Sequence, residues 1–158
     1  MKIPYYPSRE SRLRRLLDIF EPESGAKIVD LGSGDGRVLR LFADRYDDIY
    51  LFGYERDKRL IEVSRRLSRE YDRIKIIGAD LFKADLSRYD IVYTYLTRDA
   101  LNRLRDKAVE FLGNGGIWIA LDYPIPGIKP AIVIELDRWH RYFIYGYDNN
   151  RVRKMFRI

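Results

Sequence analysis

At 158 residues, 46% of them hydrophobic, the chain has room for one domain (1–158) with a buried core, and none for a second recognition domain. The absence of cysteine excludes thiol catalysis, thiolate zinc sites and a disulfide framework, and accords with a reducing compartment. No apolar run approaches the roughly 20 residues that cross a bilayer, and Met1–Pro7 lacks a signal-peptide hydrophobic region, so a soluble, cytoplasmic protein without membrane insertion is expected, and separately a monomer. Thirty basic residues against 24 acidic ones, 22 of the basic ones arginine, leave a net charge of +6, which suits RNA, an acidic protein face or a heavily charged, heat-tolerant exterior.

Ser8 is placed to cap a first helix in which Leu13, Leu16, Leu17 and Phe20 recur at helical spacing, with Arg9, Arg12, Arg14 and Arg15 mostly on its other faces. Glu21–Gly25 ends it, and Lys27–Leu31 reads as a short buried strand running directly into a glycine turn. A helix from Gly36 carries Val38, Leu39, Leu41 and Phe42; Ile49–Tyr54 is a second strand, and Asp57 opens the next helix. Ile74–Ile77 and Asp90–Tyr95 supply further strands, and a helix from about Arg98 to Leu112 stops at Gly113–Gly116 before a fifth strand, Ile117–Leu121.

Strands alternating with helices on this scale imply a parallel sheet. Ala131–Leu136 and Arg141–Tyr147 are two strand-like runs too close together for an intervening helix, and so predict a terminal antiparallel hairpin. The expected fold class is α/β: a Rossmann-like, mostly parallel sheet flanked by helices and closed by that hairpin. Asn149–Lys154, within a basic stretch 148–158, reads as a loosely held tail.

The turn Asp30-Leu31-Gly32-Ser33-Gly34-Asp35-Gly36 joins strand to helix, where glycine lets backbone pass close to a ligand and helix-terminal N–H groups point at it. Its G-x-G-x-G spacing departs from the G-x-G-x-x-G of pyrophosphate-binding turns and weakens a nicotinamide reading. Glu55, at the end of the second strand, can accept from both ribose hydroxyls of a nucleoside; it can equally cap the helix near Asp57. Asp80, beyond the third strand, can accept from an adenine amino group while Leu81 or Phe82 covers the ring. All three features fall at strand carboxyl ends, where open α/β sheets bind ligands. Tyr95 and Tyr123 are candidates to line an acceptor channel and Asp122 to guide an incoming ammonium, each with a packing role as the alternative; Thr94 and Thr97 are weaker candidates. His140, the only histidine, falls in the hairpin turn and reads as structural and far from the site. No transition-metal site is expected.

Asp30–Gly36, Tyr54-Glu55 and Asp80-Leu81 resemble the first three motifs of class I methyltransferases, which use S-adenosyl-L-methionine. With Pro4-Tyr5-Tyr6-Pro7-Ser8 ahead of the first helix and the segment Leu81 to Tyr95, the chain from about residue 3 to 147 resembles one branch of that class. The branch comprises small archaeal protein lysine methyltransferases and mitochondrial lysine methyltransferases of the ATP synthase rotor-ring protein and the adenine nucleotide translocase. The resemblance implies that Asp30, Gly32, Ser33, Gly34, Gly36, Glu55, Arg56, Asp80 and Leu81 bind the cofactor. It also implies that residues 1–24 cover it, with Tyr5 and Ser8 near its methionine end, and that the acceptor is a protein bearing an exposed lysine. Residues 93–96, Tyr-Thr-Tyr-Leu, lack the Asp/Asn-Pro-Pro-aromatic motif of base-amino methyltransferases. An RNA methyltransferase and a non-catalytic binding module with this fold are the alternatives.

Overall fold

The computed structural model describes residues 7–157, with side chains from residue 10 onward. Helix α1 (Pro7–Ile19) leads into β1 (Lys27–Leu31), α2 (Arg37–Arg45), β2 (Tyr50–Glu55), α3 (Lys58–Leu67) and β3 (Ile74–Gly78). Two single turns of 3-10 helix, Leu81–Lys83 and Leu86–Arg88, precede β4 (Ile91–Thr94), α4 (Arg98–Gly113), β5 (Ile117–Leu121), β6 (Ile132–Glu135), β7 (Arg141–Tyr145) and α5 (Asn149–Met155). The seven strands form one sheet in the order β3-β2-β1-β4-β5-β7-β6. The first five are parallel, while β7 runs antiparallel between β5 and β6.

Both faces of the sheet are covered, which is why β1, β4 and β5 are almost wholly buried apolar runs instead of alternating ones. One core joins Leu13, Leu16 and Leu17 of α1, Val38, Leu39 and Phe42 of α2, and Val152 and Met155 of α5 to the sheet. The other packs Leu101, Leu104, Ala108, Phe111 and Leu112 of α4 against Trp118, Val92 and Val29. Asp57 caps α3 by accepting from the N–H groups of Arg59 and Leu60 at 2.9 and 3.2 Å, and Thr97 caps α4 through Ala100 N–H at 3.2 Å. Thr97 is therefore a helix cap. Thr94 is fully buried and accepts from Trp118 Nε1 at 3.0 Å, which makes it a core group.

Two expectations need correction. Ser8 lies inside α1, not ahead of it. Residues 149–155 form a helix and not a loose tail: Asp148 caps it, Val152, Met155 and Phe156 are buried, and Phe156 stacks on Phe20 at 5.1 Å between ring centroids. Among the described residues no helix is long and apolar enough to cross a membrane.

Candidate active site

Strand order reverses between β1 and β4, and β1 has left the sheet by Gly32 while β4 ends at Thr94, opposite Leu31. The two chain segments part here and open a crevice at the carboxyl ends of the strands. The glycine turn crosses it with Gly32, Gly34 and Gly36 at φ of +85°, +57° and +83°, a left-handed sequence that side chains with a Cβ resist. A Cβ on Gly34 would meet nothing within 4 Å, and one on Gly32 would stand 3.3 Å from Leu96 Cδ2 and 3.7 Å from Leu81 Cδ2. The turn thus presents bare backbone to open space on one side and to a leucine-walled slot on the other.

Four amides of the turn, those of Gly32, Ser33, Gly34 and Gly36, are bonded within the protein. Gly32 and Ser33 N–H both donate to Tyr54 O at 2.9 Å, and Gly36 N–H donates to Ser33 O at 2.9 Å. Gly34 N–H donates to Glu55 Oε1 at 2.9 Å. Ser33 turns its side chain down to the sheet, where Gly53 makes room; a Cβ there would lie 2.5 Å from Ser33 Oγ, and that buried hydroxyl has no hydrogen-bond partner. Ser33 shapes the turn from below. Asp35, just beyond, is bound by Arg37 Nη2 at 2.9 Å. Burial works to raise its carboxyl, but the hydrogen bonds from the Arg37 side chain and backbone outweigh it and hold it below the usual carboxylate value.

Glu55 is half-buried at the rim. Besides Gly34 it accepts from Arg56 and Asp57 N–H through Oε2 at 2.9 and 3.0 Å, while the cap of α3 belongs to Asp57. The carboxylate is fixed in direction and keeps lone pairs for further donors. Asp80 accepts from Phe82 N–H at 2.9 Å, and its Oδ2 lies 3.6 Å from Nη1 of the exposed Arg56. Leu81 follows in the 3-10 turn, and Arg103 lies over the Phe82 ring at 3.6 Å from its centroid. Asp30 is buried at 4% exposure on β1 beneath the turn. Tyr5 lies outside the described residues, as does the side chain of Ser8.

Beside this crevice, on the β4–β5 side, Tyr95 and Tyr123 come together, their rings stacked with centroids 6.3 Å apart. Asp122 lies next to them, but not as a free anion. Its Oδ2 accepts from Arg12 Nη1 at 2.8 Å, and its Oδ1 accepts from Arg141 N–H at 3.3 Å. The expectation that it guides an ammonium is weakened, because Arg12 compensates its charge. His140 is not remote: β7 runs antiparallel to β5, so the β6–β7 turn returns to the carboxyl end of the sheet and sets His140 Nδ1 3.0 Å from Asp122 Oδ2. Arg12 is the functional candidate missed in the sequence. Its charge places it with the outer arginines, yet it sits four residues before Leu16, on the apolar stripe, and is 3% exposed. Among the described residues no His/Cys/Asp/Glu group is placed to hold a metal.

These residues fit a nucleoside-bearing sulfonium. The open face of Gly34 gives room, Glu55 would serve as a directed acceptor for a ribose diol, and Asp80 with Leu81 would offer an acceptor and an apolar cover for an adenine. The sheet order and the site together define a class I, S-adenosylmethionine-dependent methyltransferase fold. The chain belongs to the family of the ANTKMT methyltransferase domain, whose model matches residues 30–132.

Known proteins agree with that membership. The chain is 27% identical over 138 residues to a protein-lysine N-methyltransferase of Saccharolobus islandicus, covering 85% of this chain and 86% of that one. It is 28% identical over 156 residues to the adenine nucleotide translocase lysine N-methyltransferase of Mus musculus, covering 92% of this chain but 65% of the longer mouse protein. An RNA methyltransferase from Salinibacter ruber, solved with S-adenosyl-L-homocysteine, superposes with a TM-score of 0.75 at 26% identity over 90% of this chain and 92% of that one.

Proposed function

We propose that this protein is an S-adenosylmethionine-dependent methyltransferase that transfers methyl groups to lysine side chains of proteins by direct in-line displacement. The observation that carries the methyltransferase reading is Glu55 held by Gly34 N–H at 2.9 Å across the open glycine turn. The lysine assignment is supported by the archaeal relative, which is a protein-lysine N-methyltransferase and matches along most of both chains.

Bound S-adenosylmethionine supplies a methyl group on a positively charged sulfur. The chain's own task is to orient the donor and to bring a neutral amine into line with it. Gly32, Gly34 and Gly36 let the donor approach the backbone, with Asp30 beneath them; Glu55 holds the ribose, while Asp80, Leu81 and Arg56 frame the base. Tyr95 and Tyr123 wall the acceptor entrance, where a lysine whose unperturbed pKa is about 10.4 must lose its proton before transfer. The departing proton passes to solvent, and no side chain is assigned as a base. Tyr5 and Ser8 belong to the segment proposed to cover the donor.

A second reading, transfer to RNA, is favoured by the Salinibacter structure and by the net positive charge. Calorimetric titration with S-adenosylhomocysteine, followed by transfer of labelled methyl to a mixture of protein and RNA, separates the two. Saturable binding with label on protein lysine is expected. Label confined to RNA would replace the acceptor, and absence of binding would overturn the donor assignment.

A further inference from the structure

The cluster of Arg12, Asp122 and His140 lies outside the donor-binding motifs and adjoins the acceptor side of the crevice. Arg12 projects from α1 into the end of the sheet. Its Nη1 donates to Asp122 Oδ2 at 2.8 Å and lies 2.6 Å from His140 Nδ1, which is itself 3.0 Å from Asp122 Oδ2. The side chains of Arg12 and Asp122 are 4% and 11% exposed, and that of His140 is 28% exposed. A buried ion pair of this kind is a weak source of stability, because desolvation offsets the attraction; its better-attested use is to fix one arrangement over others.

What it fixes is visible in the backbone. Asp122 has φ +64°, a left-handed conformation that is uncommon for a residue with a Cβ and that aspartate reaches when its side chain is hydrogen-bonded locally. The conformation is held from three directions: Asp122 N–H donates to Arg141 O at 2.8 Å, its Oδ1 accepts from Arg141 N–H, and its Oδ2 accepts from Arg12. The reversal brings the next residue, Tyr123, back over the strand end, with Tyr123 N–H on Leu121 O at 2.8 Å, and lays its ring on Tyr95. Arg12 itself lies 5.9 Å from the Tyr95 ring centroid. The β6–β7 turn that delivers His140 is braced by Asp137, whose Oδ1 accepts from both Trp139 and His140 N–H at 2.8 and 2.9 Å.

We infer that Arg12 is a positioning residue for methyl transfer: clamped between Asp122 and His140, it holds the left-handed turn at Asp122 and so sets the Tyr95–Tyr123 wall against which the acceptor amine is aligned. The inference rests on the lysine-methyltransferase reading and adds to it that α1 is coupled to the acceptor side of the pocket through one ion pair. The donor side, built on β1, β2 and β3, does not contain the cluster.

The test uses the full chain and a lysine peptide as acceptor. Arg12→Met alone strands a buried carboxylate and can fail to fold, so the informative variant is Arg12→Met combined with Asp122→Asn. That pair removes both charges, and asparagine tolerates the left-handed turn. The double variant is expected to melt within a few degrees of the wild type and to bind S-adenosylhomocysteine within about threefold, while kcat at saturating peptide falls on the order of 10- to 100-fold. Arg12→Lys, which keeps the charge but not the planar fork, should recover part of that loss. Adding Tyr123→Ala to the double variant should lower kcat little further, because both changes act on the same wall. A double variant with wild-type kcat overturns the positioning role and leaves the lysine reading intact. A wild type that binds S-adenosylhomocysteine but transfers no methyl to lysine overturns the lysine reading instead.

Discussion

Glu55 is the central residue of the proposed donor site, and its geometry is one that a substitution can dissect. Its two oxygens take three backbone N–H groups, from Gly34, Arg56 and Asp57, and in the proposed complex they also take the ribose hydroxyls. Hydrogen bonds to a charged acceptor contribute about 1.5–3 kcal/mol each. Glu55→Ala should therefore weaken S-adenosylhomocysteine binding on the order of 10- to 100-fold in a calorimetric titration. Asp57→Ala, which removes the cap of α3, should cost about 1 kcal/mol of stability and leave that affinity alone; equal losses of affinity in both variants would mean that Glu55 acts only through the fold. The position of Glu55 is legible in the sequence because its signal is local: an acid at the end of a strand, downstream of a glycine-rich turn. Asp122 misleads for the opposite reason. In the sequence it looks like a free carboxylate near the acceptor side, and the guanidinium that compensates it comes from Arg12, 110 positions away. No spacing rule connects residues that far apart.

At the level of elements, strands that are buried on both faces are the easiest to read. Lys27–Leu31 and Ile117–Leu121 are found where the sequence places them, because a short apolar run bounded by turn residues has few other solutions. Helix α5 escapes the sequence reading because Arg151, Arg153 and Lys154 dominate its composition, and its apolar residues, with Phe156 just beyond, become meaningful only once Phe20 and α1 are in place beneath them. Its contribution is measurable. Phe156 is fully buried and stacks on Phe20, and Met155 O accepts from Glu21 N–H at 2.7 Å, so α5 seals the end of α1. Phe156→Ala should destabilise the protein by about 3–5 kcal/mol, read as a lowered urea midpoint, whereas the exposed Arg153→Ala should change stability by about 0.5 kcal/mol or less. A near-neutral Phe156→Ala would return 148–158 to the status of a tail.

Across the whole molecule the mostly parallel sheet and its terminal antiparallel pair follow from the alternation of strands and helices and the short gap between the last two strands, whereas the strand order and the interior's polar content do not. The chain has 13 tyrosines, and several are built into the core with their hydroxyls engaged there. Burial pushes Tyr46 up to about 12; it lies at the α1–α2 seam and donates to Phe20 O. Burial, together with the hydrogen bond shared with Tyr54, raises Tyr89. Burial likewise raises Tyr145, partly offset by the bond it accepts from Ile125 N–H. In each case the fold favours the neutral phenol, so the folded pKa exceeds the unfolded value of about 10. The linkage sign follows: the unfolded chain loses protons first, and the stability tied to these groups is fully present below about pH 10 and is lost as pH rises toward the folded values. The melting temperature should therefore stay level from neutral pH to about 9 and fall steeply above about 10, with part of the ultraviolet tyrosinate signal appearing only as the fold is lost. Tyr46→Phe should cost about 1 kcal/mol at neutral pH, for the hydrogen bond to Phe20 O, and should flatten the alkaline fall. If every tyrosine ionised near pH ~10 with the fold intact, the buried phenols would have to be reached by water, and the packing of α1 and α2 on the sheet would need revision.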